Sequence, residues 1–114
     1  DKTPRLWFAP TRSARSLTLV PTNGGGEARL GRSWSRSLSA RQMKLLSLLN
    51  GVAQGIPAGE LRDEMGYADT ERGLRTLQQF IYQINKKLAG QDPPATVRAW
   101  IAYESGQYTL HVRE

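Results

Sequence analysis

Leu74, Leu77, Ile81, Ile84 and Leu88 recur at steps of three and four, which predicts a helix through Arg75–Leu88 with one narrow apolar stripe. At about 100° per residue, Arg75, Gln79, Tyr82, Gln83 and Lys86 fall on the opposite side. An ordinary surface helix would place Glu–Lys pairs there. This segment instead offers cations, amides and a phenol with no acidic residue among them, a set able to meet phosphates and the edges of bases.

Upstream, Ser39 and Gln42 have the spacing of a capping box, and Leu38 and Met43 that of a hydrophobic staple, so a helix opens at Ser39. Leu45, Leu46, Leu49 and Val52 would supply its buried side and Asn50-Gly51 its stop. A shorter helix follows from about Pro57 to Met65, with Leu61 and Met65 facing inward and Gly66 ending it. A turn through Tyr67–Thr70 leads into the long helix, which Asp69 or Thr70 can cap and Gly90 terminates ahead of Asp92-Pro93-Pro94.

Both ends read as β structure. Leu6-Trp7-Phe8 and Leu17-Thr18-Leu19-Val20 are short β-prone runs, and Ala28–Trp34 is a weaker third, with the glycine-rich Thr22–Gly26 as a turn. In the third, Gly31 and the Ser/Arg alternation after it fit an ordered loop equally well. The last segment is a hairpin: Val97, Ile101 and Tyr103 alternate in one direction, Tyr108, Leu110 and Val112 in the other, and Glu104-Ser105-Gly106 turns between them. Arg98, Trp100, Thr109 and His111 then lie on a second, mostly solvated face. Trp100 would either pack against Trp7 or Trp34 or stack on a nucleotide. The expected class is α+β in one domain, residues 1–114: a small antiparallel sheet over 1–37, three helices over 38–91 and a hairpin over 95–113.

Composition narrows the chemistry. The 114 residues include no cysteine, which excludes disulfides, thiolate catalysis and Cys-based zinc sites and fits a reducing cytosol. No apolar run approaches the roughly 20 residues needed to span a bilayer, and the N-terminus lacks signal-peptide form, so a cytoplasmic protein without membrane contact is expected. The only methionines are Met43 and Met65, so the chain reads as a piece of a longer one with any sensor or receiver module upstream. A lone His111 makes no metal site, and scattered Ser, Asp and His make no catalytic triad; neither an enzyme nor a cofactor is expected. Asn23-Gly24-Gly25-Gly26 lacks the Lys-Ser/Thr of a phosphate loop.

The net charge is +6, and all of it lies in residues 1–41, where eight cations face only Asp1 and Glu27. The remainder is neutral, with Glu60, Asp63, Glu64, Asp69 and Glu71 clustered around Arg62 just before the basic helix. Some of Arg29, Arg32, Arg36 and Arg41 would therefore flank a polyanion. Arg41, in the first turn of the Ser39 helix, is the best single candidate.

Sheet, helix, short helix, turn, long helix and hairpin follow one another in the order of a winged helix-turn-helix. In LSARQMKLLSLL (38–49), IPAGELRDEMGY (56–67), RTLQQFIYQINKKL (75–88), Val97-Arg98 and the closing Gly106-Gln107-Tyr108-Thr109-Leu110, the chain resembles the OmpR/PhoB-type effector domains of bacterial response regulators. The match covers about two thirds of it closely. The resemblance implies phosphate and supporting base contacts for Arg75 and Thr76, phosphate contacts for Lys86 and Lys87, and a minor-groove approach for Arg98. It departs at Phe80, Tyr82 and Gln83, where the family commonly carries basic or histidine side chains, and in a longer, aromatic wing, so base preference should differ.

The function expected from the sequence is sequence-specific binding of double-stranded DNA by a transcriptional regulator of the two-component type. Gln79 and Gln83 would read bases, Arg75, Lys86 and Lys87 would hold phosphate, and Thr76, Tyr82, Arg98 and Arg41 would complete the contact. A homodimer on DNA and a contact of the acidic 60–71 region with RNA polymerase are further expectations, although a solvated acidic helix explains that region more simply. The competing reading is a winged-helix module that binds protein through the hairpin, Trp100 and Tyr82.

Overall fold

The computed structural model describes residues 16–113. It is α+β, with three α-helices and two three-stranded antiparallel sheets among the described residues. The first sheet is a meander of β1 (Thr18–Thr22), β2 (Gly25–Leu30) and β3 (Trp34–Ser39). The Leu6–Phe8 run lies outside the described residues. The expected strand over Ala28–Trp34 is not one strand: the chain turns at residues 31–33, and the Ser/Arg alternation, read as strand or loop, becomes β3. Likewise only Asn23 and Gly24 form the first turn, while Gly25 and Gly26 pair with Ser39 and Leu38.

Helix α1 (Ala40–Leu49) starts where its capping signals put it, with the Ser39 hydroxyl accepting from the Gln42 amide and the Gln42 side chain accepting from the Ser39 amide. Leu45, Leu46 and Leu49 are fully buried; Val52 lies past the helix end and is only half-buried. Asn50 then uses its side chain on a different element. Its Oδ1 accepts from Leu17 N–H and its Nδ2 donates to Leu17 C=O, both at 2.8 Å, so the free edge of the first sheet is pinned to the end of α1.

A two-residue strand, β4 (Ile56–Pro57), precedes α2 (Ala58–Glu64). It pairs with β6 (Gln107–Val112), which pairs in turn with β5 (Ala99–Glu104), so the C-terminal hairpin belongs to a β4-β6-β5 sheet. Ala58 N–H also donates to the Gly106 carbonyl at 3.0 Å. Val97 is not in the hairpin ladder; it follows a 3-10 turn at Pro94–Thr96. Ser105 and Gly106, with φ of 53° and 80°, close a two-residue turn of the kind that matches strand twist. Thr109, placed by alternation on a wet face, is buried because Gly55 lies against its hydroxyl.

Helix α3 runs Glu71–Ala89, capped by Thr70 Oγ1 accepting from the Gly73 amide at 3.1 Å. The turn from α2 passes so close that a Cβ at Gly73 would collide with the Ala68 carbonyl. Leu77, Ile81, Ile84 and Leu88 join Leu46, Leu49, Leu61, Met65, Trp34, Ile101 and Leu110 in one core. Both sheets and all three helices share it, and this fixes the outer face of α3.

Candidate nucleic-acid interface

With 3.6 residues per turn, Arg72, Arg75, Thr76, Gln79, Gln83 and Lys86 occupy a strip about 100° wide on α3. All six are exposed. Arg72 belongs with them but precedes the segment singled out by apolar periodicity. None of the ion pairs among the described residues involves Arg72, Arg75 or Lys86. The Thr76 hydroxyl donates to the Arg72 carbonyl at 3.0 Å, inside its own helix.

Two side chains mark the borders of the strip. Lys87 lies toward the first sheet, its Nζ 3.5 Å from the Ser37 carbonyl. Tyr82 lies toward the hairpin and is 64% exposed, with the Lys86 ammonium 5.5 Å from its ring centre. Between α3 and the hairpin, Asn85 accepts from Ile101 N–H at 2.7 Å and donates to Ile101 C=O at 2.9 Å. An asparagine thus takes the place of a neighbouring strand along the outer edge of β5, and the hairpin is held beside the strip. Nothing in the helical period distinguishes Asn85 from a surface amide, so sequence reasoning missed it.

Other expected contributors have structural partners. Arg41 donates to the Met65 carbonyl at 3.1 Å, and its guanidinium lies 5.2 and 5.9 Å from the rings of Tyr67 and Phe80. Arg98 donates to the Arg113 carbonyl at 3.1 Å at the base of the hairpin, away from the Ser105-Gly106 turn along the strand. Arg29 pairs with Glu27 at 2.8 Å. Arg36 reaches the end of α3, donating to Leu88 C=O at 3.2 Å and Ala89 C=O at 3.4 Å while pairing with Asp92 at 3.0 Å. It closes α3 as a C-terminal cap.

The indole of Trp100 stacks on His111 at 5.3 Å, and Arg113 lies 4.8 Å from its ring centre. It packs within the hairpin; Trp7, one expected partner, lies outside the described residues. Trp34 is instead buried under Arg36, 4.8 Å from its ring centre. The acidic residues Glu60, Asp63, Glu64, Asp69 and Glu71 are exposed, and Arg62 joins two of them, pairing with Asp63 at 3.0 Å and Asp69 at 2.6 Å. That pairing ties α2 to the turn before α3.

No helix among the described residues is long and apolar enough to cross a membrane. Comparison with known proteins finds no matching family model, no matching curated protein and no matching solved structure.

Proposed function

We propose that this chain is a winged helix-turn-helix domain that binds double-stranded DNA, with α3 in the major groove and the β5–β6 hairpin at the adjacent groove. The observation that carries this reading is the exposed strip on α3: three cations, Arg72, Arg75 and Lys86, interleaved with Gln79 and Gln83. The cations fit phosphate, and the amides fit the paired donor and acceptor of adenine in the major groove. Helix α2, joined to α3 by a short turn that Arg62 braces, supplies the first half of the helix-turn-helix.

On this reading the domain serves a cytoplasmic transcriptional regulator of the two-component type. A homodimer on DNA and RNA polymerase against the exposed acidic 60–71 region are its proposed partners. The protein-binding alternative uses the hairpin with Trp100 and Tyr82; Trp100 is engaged with His111 and Arg113, whereas Tyr82 is 64% exposed.

The test is a titration with random-sequence duplex at several salt concentrations. Contacts from Arg72, Arg75, Lys86, Lys87 and Arg98, at the base of the hairpin, would number about five. At roughly −0.9 per contact, affinity should fall several-hundred-fold between about 50 and 200 mM salt. Absence of salt-sensitive duplex binding would overturn the proposal.

A further inference from the structure

The exposed large apolar side chains among the described residues are two tyrosines, Tyr82 at 64% and Tyr103 at 60%. Both line one groove, of about 530 Å³, between α3 and the hairpin. Its volume falls within the roughly 300–1,000 Å³ of small-molecule sites. Ile81 and Ile101 form an apolar floor, and Tyr103 leans on Tyr108, ring centres 5.0 Å apart. Gln78 and Glu71 add an amide and a carboxylate to the lining, and Arg75 sits on the same bank as Tyr82.

These features do not suit a plain sugar–phosphate strand. A phosphate gains nothing from the isoleucine floor and is repelled by Glu71. A nucleobase fits each of them: a flat apolar body between two aromatic banks, exocyclic amino groups that can donate to Glu71 or Gln78, and an attached phosphate left at the rim beside Arg75 and Lys86.

We propose that the groove takes a single unpaired base, so that the domain prefers nucleic acid with an extruded or bulged nucleotide over a perfect duplex. This rests on the nucleic-acid reading of α3, and it adds a site which that reading does not need. Extrusion costs least where a base is already unpaired, so the preference should be largest for a bulge.

The experiment compares the whole chain on two labelled duplexes of identical sequence, one perfect and one carrying a single bulged 2-aminopurine, by anisotropy and by 2-aminopurine fluorescence. The bulged duplex should bind about tenfold more tightly, with quenching of its fluorophore on binding. Tyr103→Ala should abolish both the advantage and the quenching, so that the two duplexes bind alike, and Tyr103→Phe should retain both. Circular dichroism of the variants would verify that they fold. Equal affinity for both duplexes, or an advantage that survives Tyr103→Ala, would overturn the base site and leave the duplex reading standing. No binding to either duplex would overturn both.

Discussion

Asn85 holds Ile101 by both backbone polar groups, at 2.7 and 2.9 Å, adding a polar clasp between the hairpin and α3 to their shared core. Removing the amide leaves Ile101 N–H and C=O at a partly buried edge with nothing in exchange. Asn85→Leu should therefore cost about 1–3 kcal/mol in chemical denaturation. Hydrogen exchange should quicken at Ile101 while the interior of α1 stays protected. Unchanged exchange at Ile101 would mean that the core alone holds the hairpin.

Arg36 is a second clasp. It caps the C-terminal carbonyls of α3 and pairs with Asp92, from a strand that otherwise presents Trp34 and Leu38 to the core. Arg36→Ala should lower stability by about 1–2 kcal/mol, and Arg36→Lys should recover only part of it because an ammonium cannot reproduce the planar fork. The salt slope of duplex binding should stay the same, since the guanidinium is occupied within the fold. A slope shallower by about one unit would show that Arg36 also meets phosphate.

The same residue explains why part of the fold was hidden in the sequence. In β3 the inward positions are Trp34, Arg36 and Leu38, and a cation in the middle of them breaks the apolar alternation that marks a strand. The pairing of Ile56–Pro57 with Tyr108 and Gln107 is too short to leave any period at all. By contrast, Ser39 and Gln42 fixed the start of α1 through local bonds, and the Leu77–Leu88 stripe fixed which side of α3 is buried. Local chemistry was readable. Long-range polar contacts such as Asn85–Ile101 and Asn50–Leu17 depend on which elements meet, and residue type and spacing do not encode that.

Ile81 is nearly fully buried in the stripe that turns the basic strip outward. Ile81→Ala should cost roughly 2–5 kcal/mol by urea unfolding, the usual range for emptying such a site. A change below about half a kcal/mol would indicate that α3 presents its other side and that the basic strip is misassigned.

Burial, and secondarily the charge interaction with neighbouring Tyr103, raise the pKa of Tyr108 above its ordinary value. A phenol whose folded value is raised stabilises the fold fully below about pH 10, where the unfolded group is still neutral, and loses that contribution as pH rises through the folded value. The protein should lose stability on going from about pH 9 to pH 11, and Tyr108→Phe should lose less over the same interval. Equal losses would assign the alkaline transition to other groups.

The two kinds of residue in the α3 strip should separate cleanly. Arg72 precedes the amides on the same face and has no ion pair among the described residues, so its proposed partner is phosphate, which carries no sequence information. Arg72→Ala should weaken specific and random duplexes alike and make the salt slope shallower by about one unit. Gln83 lies on the strip one turn beyond Gln79, where an amide can pair with a base edge. Gln83→Ala should leave random-duplex affinity and the salt slope nearly unchanged, yet reduce discrimination by about 1–3 kcal/mol against a site selected from a random pool. If Arg72→Ala altered discrimination and Gln83→Ala altered the slope, the roles would be reversed, and α3 would enter the groove rotated from the orientation proposed.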